Sequence, residues 1–583
     1  MPQYENGPAL TAAIEAAARD GSQSVFTVPA GTYCFPTDIP VNGAASGLVL
    51  RGIRRPADNP FTIRADGAMF LFRHPEKGCP SFSRAVHLCD CAHLVLDGLT
   101  VDSVTPGTLE GELLYIDREG NRIGFRPYPG TLPQDPGTIE AVRSNSEFRI
   151  VPQKADGRAM APLYNVVDRW GPAALWGGDL QMDERGVCWF TFAEDTLMRT
   201  IFTPAWRETY GAEGVLEPGD GICVVFRTAM AIALDNCREI AVKNSRFLIG
   251  KGGFWENGGY GGHHWQNCYF GPPDGKCRIL GAEGNMSQGL RHGSAYEQLH
   301  LHFTTDDAIN IHGFWSRVRE QNGRCAYLDF APVGIEAGDT AEWYTADGEL
   351  TAVSTVEKTP EPNYNYNGFL TSLVYFSEPL PDRAADLRIR WPHSECDGWT
   401  IRDCVFDNVY QRILINSGSG RFEHNLVRYM GSNLALTSTT ESYEGGFMHD
   451  ITIRDNVFLH SADHPGASVV EIVQTPGWGH TARATGITVE HNLMIGCGCP
   501  LEADNAVGLT VADNTVAVPV IFGRETVSPA DLLRQERTDG VTWTNNRLVT
   551  DPDAVKRLTA LCTGPDADVD TALREMDTLP AKI

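Results

Sequence analysis

An all-β fold, a right-handed parallel β-helix with two inserted, small β-barrel-like regions, is what this sequence predicts. Three observations predict it: a strand motif that recurs with a fixed turn, glycine- and proline-punctuated short strands along most of the chain, and two strand-rich stretches that interrupt the repeat. The motif reads VKNSRF at 242–247, WQNCYF at 265–270, LHLHF at 299–303, IRDCVF at 401–406, FEHNLV at 422–427, IRDNVF at 453–458, VEHNLM at 489–494, VADNTV at 511–516 and WTNNRL at 543–548. Aligned on their last residues, the steps are 23, 33, 103, 21, 31, 36, 22 and 32. Short steps fit single coils of about two dozen residues, and most longer ones fit a coil with an extended loop. Asn or Asp beside an inward apolar position suits a stacked turn, because a short amide bonds its own or a neighbouring backbone.

From the N-terminus, GPALTAAIEAAARDG at 7–21 has helical spacing and ends on a glycine, which suits a helix capping the exposed end of a solenoid core. VFTVPAGTYCF then reads as strand, turn and strand, and LVLRGI, FTIRADGAMFLF, AVHLCD and HLVLDGLTV continue the pattern. The predicted division is a cap with first coils over 1–144, an inserted β-rich region over 145–226 and central coils over 227–316. A second insert follows over 317–392, then coils over 393–550 and a cap or tail over 551–583. The inserts carry GD turns between apolar strands, as in LEPGDGICVVF and GDTAEWYTADGELTAVSTV; the second accounts for the 103-residue step.

At 583 residues the chain can be one long body, since each solenoid repeat touches only its neighbours. A net charge of −26 argues against a phosphate-binding surface, which takes its affinity from clustered Lys and Arg, so neither nucleic acid nor an anionic membrane is expected as a partner. The start, MPQYENGPAL, has no signal-peptide pattern, and no apolar run approaches the roughly 20 residues that span a bilayer. A soluble chain is expected, cytoplasmic or exported after processing, and homo-oligomer formation is compatible with it. The 15 cysteines are an odd number; Cys237, Cys268 and Cys404 sit in apolar strand contexts and read as buried thiols. Cys497 and Cys499 lack the Cys/His quartet of a zinc site.

Chemistry is expected in HFTTDDAINIHG at 302–313. Asp306 and Asp307 precede a strand on which Ile309 and Ile311 alternate with Asn310 and His312, so the polar pair shares one face. Glu283 stands 23 residues before Asp306, about one coil, which suggests a third carboxylate stacked on the pair. Glycoside hydrolysis needs one carboxyl to protonate the leaving oxygen and another to activate water or attack carbon, and crowding raises the proton affinity of at least one. Calcium is the main rival use for the same oxygens, with a solvated turn behind it. Upstream, GKGGFWENGGYGGHHW at 250–265 lacks the order of a phosphate loop; Trp255 or Tyr260 suits an apolar sugar face, with tight packing the equal alternative. His263 and His264 have no identifiable partner ligands for zinc.

DDAINIHG at 306–313 resembles the DDA-x-N-x-HG segment of glycoside hydrolase family 110, parallel β-helix exo-α-galactosidases of the α-1,3-galactosidase type. EPGDGICVVFR, DNCREIAVKNSRF, IRDCVFDNVYQRILINS and NLALTSTTESYEGGFMHDITIRDNVF extend the resemblance. It implies a catalytic role for Asp306 and Asp307 and neighbouring polar roles for Asn310 and His312. Arg412 falls in QRIL, where the family has an RGIL-like stretch. GAEGNMSQGLRHG replaces the family's TADA-x-H-like segment, so Glu283 stands in for its aspartate with a shifted match. The expected activity is inverting release of a non-reducing terminal α-linked galactose or related sugar. Asp306, Asp307 and Glu283 are the catalytic candidates, with Asn310, His312, Arg412, Trp255 and Glu444 on substrate, and neither metal nor cofactor is called for. The rivals are a polygalacturonase-like hydrolase, a polysaccharide lyase and a noncatalytic carbohydrate-binding β-helix.

Overall fold

The computed structural model describes residues 5–73, 83–104, 108–128, 149–153, 179–191, 217–225, 229–248, 253–272, 285–304, 306–360, 372–409, 411–438, 443–461, 468–474, 484–496, 499–517, 532–564 and 566–579. Three short strands make each coil. One coil runs Ala229–Asp235, Ala241–Lys243 and Arg246–Phe247, and the next Phe254–Asn257, His264–Gln266 and Tyr269–Phe270. Like strands pair in parallel one rung apart, Ile232 with Phe254, Val242 with Trp265 and Phe247 with Phe270. Among the described residues, stacking builds three sheets: C from the first strands, B from the second and A from the third. The fold is a parallel β-helix.

The turn from sheet B to sheet A explains the recurring motif. Its first residue takes a left-handed backbone, with φ of 52° at Asn267, 57° at Asp455, 52° at His491 and 55° at Asn545, a conformation in which Asn, Asp and His are enriched. Its second residue points into the stack. Asn425, Asn456, Asn492, Asn514 and Asn546 form a ladder in which each side-chain oxygen after that of Asn425 accepts the backbone and side-chain N–H of the asparagine one coil before, at 2.9–3.0 Å. Where the sequence has Cys268 or Cys404 instead, the buried thiol donates to nearby carbonyls. The residue two places on is the inward one, and Phe406, Val427, Phe458, Met494 and Val516 stack through sheet A. Each such buried side chain contributes roughly 1.5–3 kcal/mol. One motif was placed out of phase: sheet A pairs Leu301, not Phe303, with Phe270 and Phe406. Here the turn is Gln298–Leu299, with Gln298 at φ 55°, so YEQLHL is the repeat and the flanking steps become 31 and 105 residues.

A helix, α1 (Gly7–Asp20), is capped by Asn6, whose side chain accepts the Ala9 N–H, and closes on left-handed Gly21. Its buried face of Leu10, Ile14 and Ala18 joins the core of the first coils. Two more helices, α2 (Pro552–Cys562) and α3 (Val569–Thr578), start on the aspartate caps Asp551 and Asp568. They pack on the outer side of sheet A, against Leu426, Val457, Leu493 and Ile495.

Both interruptions are antiparallel sheets. Among the described residues the first has six strands and takes in Thr108–Asp117 and Arg122–Pro127, ahead of residue 145, because Thr108–Asp117 pairs with Gly221–Val225. The second runs from Arg317–Asn322 to Arg388–Arg390, and reciprocal backbone bonds between Ser316 and Ile389 close its six strands into a barrel.

One corner of the stack carries a pH-sensitive tie. Asp397 accepts from the Ser419 backbone N–H at 2.9 Å and lies 3.2 Å from His449, whose other nitrogen is 3.1 Å from Asp450. The hydrogen bond to Asp397 leads in pushing His449 up from 6.5 to about 9. A raised pKa stabilises the fold fully below the unfolded value of 6.5, and that stability is lost as pH rises through about 9. With the imidazole side chain 33% exposed, screening leaves on the order of 1 kcal/mol. Urea midpoints at pH 6 and pH 9.5 should therefore diverge more for the parent than for His449→Gln; equal divergence would remove this tie from the account.

Candidate active site

Asp306 and Asp307 end the loop that leads from the sheet A strand His300–Thr304 into the sheet C strand Ile309–Phe314. Asp306 accepts the Asp307 backbone N–H at 2.9 Å. The next residue, Ala308, is pinned on both sides. Its carbonyl accepts from Asn285 at 2.7 Å, and its N–H donates to the Arg412 carbonyl at 2.7 Å. Asn285 also accepts the Phe254 N–H at 2.9 Å and is fully buried. The acidic pair is thus held by the coils before and after it.

Arg412 enters from the following loop, and its Nε donates to Asp307 Oδ1 at 3.0 Å. Burial works against the guanidinium charge, but Asp307, Glu444 and Asp306 outweigh it and raise its proton affinity. Ile309 and Ile311 point into the core, which leaves Asn310 and His312 outward. Asn310 donates to Glu444 at 3.2 Å, and Asn416 donates to the same oxygen at 3.4 Å. Glu444 is delivered by a two-residue strand, Glu444–Gly445, antiparallel to Gly313–Phe314. Gly445 permits that approach, since a Cβ there would fall 2.2 Å from the Trp315 indole nitrogen.

A further carboxylate lies three rungs along the same outward row, which runs Asn310, Leu414, Ala435, Glu471. Glu471 accepts from Asn433 at 2.5 Å. Burial raises its proton affinity, opposed by the Asn433 bond and Arg412 and reinforced by Glu502. Arg412 is thus paired with Asp307, and its charge acts on Glu471 from farther off, as those of Asp306 and Glu444 act on it. Buried side-chain oxygens of Asn310 and Asn416 have no hydrogen-bond partner among the described residues. Such an arrangement presents amide groups able to match hydroxyls beside several carboxyls, the groups that acid–base work on a sugar uses.

Among the sequence-predicted residues, Asp306, Asp307, Asn310, Arg412 and Glu444 come together. Glu283 lies outside the described residues; the rung beside it spans 24 residues, from Asn285 to Ile309. Trp255 is outward on sheet C, two rungs from Asn310 through Met286, or about 10 Å. It is buried with Met230, Ala233 and Met286, and the Arg84 guanidinium lies 5.9 Å from its ring. His312 is fully buried, donates Nδ1–H to the Gly313 carbonyl at 2.6 Å and packs edge-on to Phe314 and Tyr443. Glu471, Asn433, Asn416 and Asn285 were not singled out. A lone Glu in the apolar strand SVVEIVQ was the available signal for Glu471.

No family model and no curated protein matches the chain. Among solved structures, an exopolygalacturonase from Thermotoga maritima is 9% identical with a TM-score of 0.35, over 92% of this chain and 88% of that one. A mannuronic acid-specific polysaccharide family 6 lyase from human gut microbiota is 11% identical with a TM-score of 0.33, over 99% and 100%. The catalytic domain of a GH87 α-1,3-glucanase in complex with nigerose is 8% identical with a TM-score of 0.34, over 94% and 68%. At TM-scores below 0.5 these likenesses carry no argument about activity, so the functional reading rests on the side chains.

Proposed function

We propose that this patch is the active site of an exo-acting, inverting glycoside hydrolase that releases a non-reducing terminal α-linked galactose or a related sugar. The observation that carries the reading is the ion pair of Arg412 with Asp307, next to Asp306, on the same segment that carries Asn310, whose amide holds the Glu444 carboxylate. Asp306, Asp307 and Glu283 divide the acid and base duties, one carboxyl protonating the glycosidic oxygen and another taking a proton from the attacking water. Arg412 is the counter-charge of Asp307, and Asn310 with Glu444 orients sugar hydroxyls. α-Galactose is the first choice because DDAINIHG resembles the α-1,3-galactosidase family. A site built for particular hydroxyls rejects sugars that leave its buried polar groups unpaired.

The test is a panel of reducing-end-labelled α-galactosides, α-N-acetylgalactosaminides, β-galactosides and oligogalacturonides. One terminal galactose should be released, and early NMR spectra should show it as the β-anomer. Internal fragments would favour an endo-acting polygalacturonase-like enzyme, and unsaturated ends a lyase. Binding without release would favour a carbohydrate-binding protein. Release of another terminal sugar would reject galactose specificity but keep the hydrolase.

A further inference from the structure

We propose that His300, His302 and Asp407 form a binding site for a divalent transition-metal ion of the zinc class on the outer face of sheet A. His300 and His302 are two apart on the strand His300–Thr304 and so share one face. The neighbouring strand places Asp407 directly opposite His302. One ring nitrogen of each histidine and one oxygen of Asp407 lie within 4.8 Å of one another. Zinc bonds to nitrogen and oxygen are roughly 2.0–2.2 Å, so small rotations of half-buried rings complete the set.

The donor set suits such an ion. Two imidazoles and one carboxylate leave a position open for water, a pattern that favours zinc and its neighbours over calcium or magnesium, which take oxygen. His300 Nε2 is buried with no hydrogen-bond partner among the described residues. Arg428 donates to Asp407 Oδ2 at 2.8 Å and is itself anchored on the Gly564 carbonyl at 2.7 Å. It acts from the outer shell, fixing the carboxylate that faces the ion.

The cluster of His87, Cys89 and Asp235 makes an instructive contrast. There Arg84, His87 and Asn42 all converge on one oxygen of a fully buried Asp235, at 2.6, 2.7 and 2.8 Å. That network is closed on itself.

The position of the proposed site gives the ion a task. The strand carrying His300 and His302 runs directly into Asp306 and Asp307, and the strand carrying Asp407 runs into Arg412. An ion shared by the two strands ties together the supports of the acidic pair and its counter-charge. No reaction step runs through it, and the site stands or falls independently of the hydrolase reading.

The full chain, treated with chelator and dialysed, is titrated with Zn²⁺ by calorimetry and with Co²⁺ by absorption. One equivalent should bind, raise the thermal midpoint and give cobalt d–d bands without a thiolate charge-transfer band. His300→Gln and His302→Gln should each weaken binding at least about tenfold, whereas His87→Gln should leave it unchanged. Circular dichroism checks that each variant is folded, and Asp407→Asn is the third arm if one histidine variant is not. Absence of stoichiometric binding, a thiolate band, or parent-like affinity in the folded variants would overturn the proposal.

Discussion

Asp307→Asn is expected to lower turnover roughly 10²–10⁴-fold on the sugar that the substrate panel identifies, because it removes a charge at the reacting centre with little change in volume. Such a loss corresponds to about 3–5 kcal/mol of barrier. Folding should survive, since asparagine keeps the oxygen that accepts from Arg412 Nε, and the Ala308 backbone bonds that hold the loop do not involve the carboxylate. Asp306→Asn and Glu283→Gln are the companion variants, and at least two of the three should lose turnover on this scale. Near-parent rates in all three folded variants would sink the carboxylate assignment. A harmless Glu283→Gln alone would remove Glu283 and leave the aspartates standing. Glu471→Gln then separates two uses of the added acid: a loss comparable to that of Asp307→Asn places Glu471 among the proton-transfer groups, and a rise in KM alone places it on substrate.

How far this was legible in the sequence depends on whether a feature is local. The two-residue turn is local, so VEHNLM or VADNTV announces the coil, its inward residue and its stacking position within six residues. DDAINIHG is likewise contiguous, and alternation along it assigns Ile309 and Ile311 to the core and Asn310 to the outer face. What stayed hidden depends on loops of unequal length. Glu471 and Asn310 lie in one outward row although 161 residues separate them, and no spacing in the chain expresses that. His312 shows another non-local effect. Its strand position is outward as expected, but Phe314 and Tyr443 cover it, and Tyr443 comes from a distant loop. At Trp255 the glycine-rich stretch left a sugar face and tight packing equally open, and its ring packs among Met230, Ala233 and Met286.

The largest stability effect is expected at the centre of the asparagine ladder. Asn492 is completely buried and uses its whole amide. Its oxygen accepts the backbone and side-chain N–H of Asn456 at 3.0 and 2.9 Å; its nitrogen donates to the carbonyls of Ile453 and Glu490 and to Asn514. Asn492→Ala strands the Asn456 backbone N–H and the Ile453 carbonyl in a dry corner where no neighbour can replace the amide. Each unsatisfied group costs about 1–3 kcal/mol, so the substitution should cost roughly 3–5 kcal/mol. Asn546 closes the ladder at its last coil and is only half-buried, and water can reach what its removal exposes. Asn546→Ala should therefore cost about 1 kcal/mol. Urea titrations of the two variants, with hydrogen exchange at the Asn425 and Asn456 amides, separate this account from simple loss of packing volume. Equal midpoint shifts for Asn492→Ala and Asn546→Ala, or unchanged exchange at Asn456, would mean that the ladder is ornament on a stack held by its apolar core. Asn492→Asp removes both donors and also buries a carboxylate against the Ile453 and Glu490 carbonyls, so its penalty should exceed that of alanine.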